Sequence, residues 1–452
     1  MPHRESLSFP QIPDMKKVLT FLCCLIVLSA LAQQPDMYRI NAGKLFNSET
    51  GLFEKGKTIL VRGDKIEQVK ATDKLTAEET SNYTLVDLSA STVMPGLIDC
   101  HTHLLYREII WPGNNEPSMD MNRALTLDGD AYRAIYGAAR AKSYIEAGIT
   151  TVQDLGNSGL FADMALKRAI NEGLVPGPRM RTSGPGLSTE GGQLPHTIFK
   201  HQDLAKDEYR IVKNAEDGIT AVRENVNQGA TVIKIFANNT PNNTMLRVEE
   251  IRAIVEEAHR YRIRVTAHAT NSRSVYTAVM GGVDGIEHGY SIEDSVMDLM
   301  VKKGVFLVPT DGDSLMMKQY FAINDPNDST SIHDFMKSIR SPENRLMRAF
   351  KKGVKIAAGS DDYIDFHLPF SVPSKRTILG YNQAGIPVAD CLKFATINAA
   401  EQANFKGKVG VLKAGYIADI IAVGANVDRD LEELMDVRFV MKEGKLVVPA
   451  RK

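Results

Sequence analysis

The residues of this chain whose chemistry stands out lie where five short apolar segments end. The segments are PGLIDCHTH, TVIKIF, VTAHA, GIEHG and AAGSD. They supply six side chains that can bind metal ions: His101, His103, Lys234, His268, His288 and Asp361. Imidazole and carboxylate groups are common ligands of divalent cations, and such cations turn water into a nucleophile at neutral pH. The pattern therefore predicts a metal-dependent hydrolytic centre.

His101 and His103 are separated by one residue in a predicted strand. Side chains alternate between the two faces of a strand, so these imidazoles lie on the same face and can bind one ion. A single pair of this kind is a weak signal, but here further ligands follow at the ends of later strands. We therefore expect the pair to bind the first of two metal ions.

Lys234 lies in the middle of the apolar run TVIKIF. An ammonium group is costly in such surroundings, and burial lowers the pKa of a lysine. A neutral amine can take up carbon dioxide and become a carbamate, an anion whose two oxygens can bridge ions about 3.5 to 4 Å apart. The alternative is a lysine paired with a nearby acid. The four histidines and Asp361 favour the carbamate.

His268 and His288 follow at the ends of the next two predicted strands, and Asp361 follows at the end of the last one. We expect the two histidines to bind the second ion through neutral imidazole nitrogens. Asp361 is expected to bind the first ion and to act in catalysis together with His288. Zinc is the first candidate for both divalent ions, although other cations accept the same ligands.

Strand-like and helix-like segments alternate between residues 93 and 403, which is typical of βα units around a parallel sheet. Eight strands are predicted, in the segments MPGLIDCHTH, GITTVQDLG, RMRTSGPG, TVIKIFA, RVTAHA, GIEHG, VFLVPT and KIAAGSD. Helix-like stretches such as VEEIRAIVEEAHRYR fill the gaps. The predicted fold is an α/β fold with a TIM-like (β/α)8 barrel, which holds its chemistry at the C-terminal ends of the strands.

The two ends of the chain, residues 33–92 and 404–452, contain short alternating runs separated by turn residues. Arg62-Gly63-Asp64, for example, is a hairpin signal. We interpret both ends as parts of one β-sandwich beside the barrel. A chain of 452 residues fits this arrangement, because a single core stops growing at about 250 to 300 residues.

Residues 1–32 have the pattern of a secretory signal peptide, and the true start could be Met15. Lys16 and Lys17 precede an apolar run at residues 18–28, and Ala30-Leu31-Ala32 offers small residues for cleavage. The run is short for a membrane span, and an uncleaved anchor is the alternative. We expect a secreted or periplasmic protein with no stable membrane span after cleavage.

The charge pattern limits the partners. The formal net charge is -1, with no basic stripe for nucleic acid and no acidic tail. A small uncharged or zwitterionic substrate is therefore expected, and a homo-oligomer is compatible with the sequence. Cys100 and Cys391 remain after cleavage; one bridge could join them, but Cys100 lies inside a predicted strand and fits a buried apolar role better.

Taken together, these residues resemble the amidohydrolase superfamily in its two-metal form with a carboxylated lysine. Within it the chain is most similar to the metal-dependent dipeptidases of the Xaa-Pro (prolidase) and Xaa-Arg/Lys type. The resemblance covers nearly all of the chain after residue 32, including GITTVQDLG, GPRMRTSG, EEIRAIVEEAHR, GIEHG, AAGSD and KAGYIADIIAV. It implies cleavage of the C–N bond of a small amide, a dipeptide above all, by hydroxide activated at two ions.

Two departures from the dipeptidase pattern concern the substrate. Gln193 stands where that branch commonly has a histidine after two glycines, and Thr270 stands where it commonly has a tyrosine. Both positions face the substrate in relatives, so the resemblance implies altered substrate contacts here. The candidates are Gln193, His196, Asn239, Thr270 and Tyr290.

Three alternatives stay open at this stage. Cyclic amidases and lactonases share the lysine-bridged site. Imidazolone-type hydrolases and deaminases use one ion and typically carry a glutamate or glutamine shortly after the strand-five histidine, whereas Ala269, Thr270, Asn271 and Ser272 follow here. A secreted binding protein without turnover is the least favoured, because every expected ligand position holds a competent side chain.

Overall fold

The computed structural model describes residues 36–109, 119–194, 197–324, 330–341 and 343–450. The predicted signal peptide and His196 lie outside this part of the chain. The described strands are, in chain order, β1 Met37–Asn47, β2 Leu52–Arg62, β3 Lys65–Ala71, β4 Thr84–Pro95, β5 Leu97–Thr102, β6 Glu108–Ile109, β7 Ile149–Asp154, β8 Arg179–Thr182, β9 Gly186–Ser188, β10 Tyr209–Ile211, β11 Ile233–Phe236, β12 Val265–Asn271, β13 Gly285–Ser291, β14 Phe306–Val308, β15 Lys355–Ile356, β16 Ile364–Asp365, β17 Ile420–Val423, β18 Phe439–Lys442 and β19 Lys445–Val448.

The described α-helices are α1 Ala77–Thr80, α2 Met119–Arg123, α3 Gly129–Glu146, α4 Ala162–Asn171, α5 Ala215–Asn227, α6 Val248–Arg260, α7 Ser272–Gly281, α8 Asp294–Lys303, α9 Ser314–Asn324, α10 Ser331–Ile339, α11 Arg345–Lys352, α12 Val372–Gln383, α13 Val388–Phe394 and α14 Ile397–Gln402. A π-helical turn, Ala124–Asp128, joins α2 to α3. In the described ranges no helix is long and apolar enough to cross a membrane.

Eight parallel strands form the barrel, and they are the eight that the sequence predicts: β5, β7, β8, β11, β12, β13, β14 and β15. Three-stranded and seven-stranded sheets contain them. The two sheets meet where the Thr231 amide donates to the Thr182 carbonyl at 2.9 Å. On the other side, the Cys100 amide donates to the Ala358 carbonyl at 2.9 Å, and the Asp361 amide donates to the His101 carbonyl at 2.8 Å. The predicted (β/α)8 barrel is confirmed.

The helices cover the barrel with apolar faces. In α6 the buried side chains Ile251, Ile254, Val255 and Ala258 recur at three- and four-residue spacing, so they form one stripe that packs in the barrel core. Glu249 and Glu250 lie in its first turn, and His259 and Arg260 lie in its last, which matches the helix dipole at both ends. Burial of each large apolar side chain stabilises the fold by about 1.5 to 3 kcal/mol.

Strands from both ends of the chain form one seven-stranded sheet in the order β19-β18-β17-β4-β1-β2-β3. The predicted hairpin is confirmed, because β2 and β3 pair antiparallel on either side of Gly63. The sheet folds back on itself: Lys65 at the β3 edge bridges Ile417, just before β17, and side chains of both halves share one apolar core. The additional β domain predicted from both termini is thus present.

The predicted division between residues 92 and 93 falls inside β4, and β4 is followed almost at once by β5, the first barrel strand. The domain limits given by the sequence stay a prediction. Cys100 and Cys391 are both buried and unbridged, as the apolar interpretation of Cys100 expects.

Candidate active site

The barrel brings the six predicted ligands to one end of its parallel strands. His101 and His103 lie at the end of β5, Lys234 lies in β11, His268 in β12 and His288 in β13. Asp361 follows β15 by five residues. Ligand atoms of His101, His288 and Asp361 lie within 4.8 Å of one another, which is close enough to hold one ion. The strands are short and buried, so the positions of these side chains are set by the barrel.

Asp361 lies between the two histidines of the first pair. Its Oδ1 is 3.3 Å from His101 Nε2 and 3.0 Å from His103 Nε2, and the two Nε2 atoms are 3.2 Å apart. Burial alone would raise the pKa of Asp361, but the neighbouring His101 and His103 hold it below its ordinary value. Asp361 is therefore a carboxylate at neutral pH.

The other ring nitrogens of this pair have partners that set the tautomers. His101 Nδ1 lies 2.6 Å from Glu287 Oε2, and His103 Nδ1 lies 2.9 Å from the Gly156 carbonyl. The Gly156 carbonyl can only accept a hydrogen bond, so His103 Nδ1 carries the proton, and an ionised Glu287 places the proton of His101 on Nδ1 in the same way. The Nε2 lone pairs then face each other and Asp361. Two lone pairs and a carboxylate that converge in this way fit a cation, and the partners on Nδ1 are the contacts that orient metal-binding histidines.

Lys234 is buried, with a relative exposure of 1%. Its Nζ lies 3.4 Å from His101 Nε2 and 5.5 Å from the centre of the Phe236 ring. Burial lowers the pKa of Lys234, although the carboxylates of Glu287 and Asp361 act in the opposite direction. The lysine that the sequence singles out therefore lies among the predicted ligands rather than on the outside of the barrel.

His268 and His288 form the second part of the cluster, with ring centres 4.6 Å apart. Burial lowers the pKa of both histidines well below the ordinary value, so both are neutral imidazoles near pH 7. His288 Nδ1 lies 3.0 Å from Thr310 Oγ1 and 3.7 Å from Asp361 Oδ2. The position of His288 is compatible with both metal binding and catalysis.

Backbone strain is concentrated at this end of the barrel. His288 has a φ of 72° and Asp361 a φ of 55°, so both residues adopt the left-handed conformation. Residues other than glycine seldom adopt it, and it costs on the order of 1 to 3 kcal/mol where it occurs. Such strain persists only where surrounding contacts enforce it, and it is common at functional sites.

Sequence reasoning missed two buried carboxylates beside the site, Glu287 and Asp99. Burial raises the pKa of Glu287 to about 7, and the residue also contacts Thr266 Oγ1. Asp99 accepts hydrogen bonds from the amides of His101 and Ser360, each at 3.0 Å, and thereby ties the first barrel strand to the last. The available signal was an acidic residue inside a strand predicted to be buried: Asp99 in PGLIDCHTH and Glu287 in GIEHG.

The predicted substrate contacts are placed in different surroundings. Tyr290 is 53% exposed, and its hydroxyl lies 3.2 Å from His288 Nδ1. Gln193 Nε2 lies 3.1 Å from His268 Nε2. Thr270 Oγ1 accepts a hydrogen bond from Asn238 at 3.0 Å. Asn239 is buried, and its amide group contacts Ser188, Thr189 and Thr244, so its polar atoms already have partners within the protein.

A cavity of about 1020 Å³ opens over Asp361. Tyr290, Thr310, Asp311 and Arg345 are among the residues that line it near the cluster. A cavity of this size can enclose a small organic molecule. The site therefore combines a carboxylate that can accept a proton, neutral imidazoles that can bind cations, and room for a substrate.

Comparisons with known proteins agree with this chemistry. Residues 92–447 match the amidohydrolase family. The ochratoxinase of Aspergillus niger is 27% identical over 392 residues, which is 78% of this chain and 75% of that protein. A crystal structure of a Xaa-Pro dipeptidase with methionine bound in its active site has 26% identity and a TM-score of 0.75, and the match covers 91% of this chain and 100% of that one.

A crystal structure of a prolidase in complex with N-methylphosphonate-L-proline has 28% identity and a TM-score of 0.74, with the same coverage of 91% and 100%. The resemblance to the dipeptidase-like branch that the sequence indicates is confirmed by these likenesses. The family match spans most of the chain and includes all six predicted ligands. The chain is a member of the amidohydrolase family and a hydrolase that acts on carbon–nitrogen bonds.

Proposed function

We propose that this hydrolase uses two divalent metal ions to cleave the amide bond of a small substrate, a dipeptide of the prolidase type being the first candidate. The observation that carries the proposal is the convergence of His101 Nε2, His103 Nε2 and Asp361 Oδ1 within 3.3 Å. The likeness to a Xaa-Pro dipeptidase and a prolidase supports the substrate class.

The donor set divides into two groups. His101, His103 and Asp361 would hold one cation, and His268 and His288 would hold the other. Such cations, when bound, polarise a carbonyl and make water a stronger acid. Zinc is the first candidate, because imidazole and carboxylate ligands suit it.

Lys234 would join the two groups as a carbamate. Its amine nitrogen would bond to the carbon of CO2 and lose a proton, which replaces a buried cation with an anion that has two oxygen donors. The burial of Lys234 and the 3.4 Å distance from its Nζ to His101 Nε2 support this role.

Asp361 is the group that would move the proton. Its Oδ2 lies on the side of His288, 3.7 Å from Nδ1, and its carboxylate is ionised at neutral pH. It would accept a proton from the attacking water and pass it to the leaving nitrogen. The nitrogen would then leave as a neutral amine rather than as an anion. His288 and the Tyr290 hydroxyl, 3.2 Å from His288 Nδ1, would orient the carbonyl of the scissile bond.

The N-terminal segment, residues 1–32, concerns the compartment in which the enzyme acts. We retain secretion, or export to the periplasm, as part of the proposal, on the basis of the lysines, the apolar run and the small residues within residues 1–32.

The test is amide hydrolysis by protein loaded with zinc and bicarbonate. The panel contains Xaa-Pro, Xaa-Arg and Xaa-Lys dipeptides, N-acyl amino acids and cyclic amides. We expect turnover of dipeptides and a loss of roughly 10²- to 10⁴-fold in kcat/KM for Asp361→Asn, the usual contribution of a general acid–base group. Asp298→Asn, an exposed change on α8, is the matched control.

Hydrolysis of cyclic amides alone would retain the chemistry and contradict the dipeptidase assignment. A loaded enzyme that hydrolyses none of these substrates, or an Asp361→Asn variant as active as the parent, would contradict the proposed function.

A further inference from the structure

The cavity over Asp361 has two chemically different parts. Tyr290, Thr310 and Asp361 form the first, which is polar and contacts the candidate metal ligands. Pockets that enclose small ligands have volumes of about 300 to 1,000 Å³. With about 1020 Å³, this cavity is large for a dipeptide of two small residues. The side chains that line the rest of the cavity therefore help to determine which amides it can bind.

The second part is apolar, and we name its side chains the apolar wall: Met316, Met317, Tyr320, Phe335, Ile339 and Phe366. Met316 and Phe366 are buried in one small cluster, and Tyr320 packs against it. Ile339 is buried in a larger cluster that contains side chains of both the barrel and the terminal sheet, and Phe335 packs against it. Two separate apolar cores thus extend into the cavity lining.

Helix geometry explains why these side chains share a surface. Met316 and Tyr320 are four residues apart in α9, and Phe335 and Ile339 are four residues apart in α10, so each pair lies on one helix face. The apolar faces of both helices line the cavity.

The start of α9 is firmly anchored. The buried Asp313 accepts a hydrogen bond from the Met316 amide at 2.9 Å and pairs with Arg376 at 2.9 Å. The first turn of α9 is thereby fixed to α12, which carries Arg376. Met316 and Met317, the part of the apolar wall in this turn, are therefore held in place, and little ordering of them is needed when a ligand binds.

The two arginines of the lining, Arg345 and Arg348, are compensated within the protein. Arg345 donates to the His288 carbonyl at 2.9 Å and pairs with Asp311, and Arg348 pairs with Asp294 at 2.6 Å. These two guanidinium groups are occupied within the protein. Recognition by the cavity therefore depends more on apolar surface than on these two charges.

We propose that the enzyme prefers amides in which one side of the scissile bond carries a large apolar group, an aromatic one above all, and that the apolar wall determines this preference. The inference rests on the proposed amide hydrolysis and specifies its substrate class. The polar part of the cavity holds the amide beside Asp361, and the large group lies against α9 and α10.

The experiment compares kcat/KM within matched dipeptides: Ala-Ala against Phe-Ala, which differ before the scissile bond, and Ala-Ala against Ala-Phe, which differ after it. We expect one aromatic member to be preferred by roughly 10- to 100-fold, the ratio that burial of one large apolar side chain gives. Tyr320→Ala and Phe335→Ala should each reduce this ratio several-fold while Ala-Ala turnover stays close to that of the parent.

The ratio is measured within one preparation, so a smaller folded fraction in a variant does not change it. Lys318→Ala, an exposed change on α9, is the control and should keep the parent ratio. Turnover of all three dipeptides with equal kcat/KM, or an aromatic preference that both variants retain, would overturn this inference and leave the proposed function intact. A loaded enzyme that hydrolyses no amide at all would overturn both.

Discussion

At the scale of single residues, the candidate metal ligands depend on contacts with groups outside the candidate ligand set. His101 presents Nε2 to the cluster when ionised Glu287 holds the proton on Nδ1, and the Gly156 carbonyl does the same for His103. Such outer contacts fix the orientation and tautomer of an imidazole. The sequence indicated the candidate ligands but not Glu287, because only the folded barrel brings the Glu287 carboxyl of β13 to the His101 imidazole of β5.

Glu287→Gln should weaken metal binding by roughly 10- to 100-fold, since a neutral amide polarises the His101 imidazole less than a carboxylate does. Competition with a chelator gives the zinc affinity directly. Glu256→Gln, an exposed change on α6, serves as the comparison and should bind zinc as the parent does. Equal affinities in the Glu287 variant and the parent would show that this contact does not tune the site.

At the scale of elements, buried polar groups fix the ends of strands and helices where the chain must turn. Asp163 lies in the first turn of α4, and its Oδ2 accepts a hydrogen bond from the Gly184 amide at 2.9 Å. Gly184 has a φ of 65°, which glycine adopts without strain, and it separates β8 from β9. A buried carboxylate thus holds the turn that follows the third barrel strand.

This carboxylate should make stability depend on pH. Burial raises the pKa of Asp163 to about 7, whereas an aspartate in an unfolded chain titrates near pH ~3.9. The folded protein therefore binds the proton more tightly, so this stabilising contribution is complete below pH ~4 and is lost as the pH rises through about 7.

The side chain introduced by Asp163→Asn cannot ionise, so this variant should not lose stability in this way as the pH rises. Between pH ~5 and pH ~8 its free energy of unfolding should improve relative to the parent by roughly 2 to 3 kcal/mol. Urea unfolding at the two pH values measures the difference, with the exposed change Asp73→Asn as the control. A difference between variant and parent that stays constant with pH would contradict the expectation.

The elements themselves were largely predictable. Hydrophobic runs such as TVIKIF and GIEHG became β11 and β13, and the Arg62-Gly63-Asp64 turn became the β2–β3 hairpin, because these signals are local. The apolar wall was not predicted, since the spacing of Met316 and Tyr320 reveals a helix face but not the surface that it covers. Asn239 stays a predicted substrate contact, and the sequence did not reveal the three partners that its amide has within the protein.

At the scale of the whole molecule, the terminal sheet and the barrel are joined by two ion pairs, and the one with Asp419 is largely buried. Arg179, in the barrel strand β8, pairs with Asp419 at 2.6 Å and with Glu443 at 2.7 Å, and both acids lie next to strands of the terminal sheet. Removal of one partner from a buried pair leaves an uncompensated charge. The sheet therefore supports the barrel that positions the candidate ligands.

The most direct test of this account is the number of metal ions per chain after loading with zinc and bicarbonate and removal of free metal, measured on the parent, Lys234→Ala and the exposed control Lys206→Ala. We predict two ions in the parent and the control, and a loss of bound metal in Lys234→Ala. A single ion in the parent, or a metal content that Lys234→Ala leaves unchanged, would contradict a centre of two ions joined through Lys234.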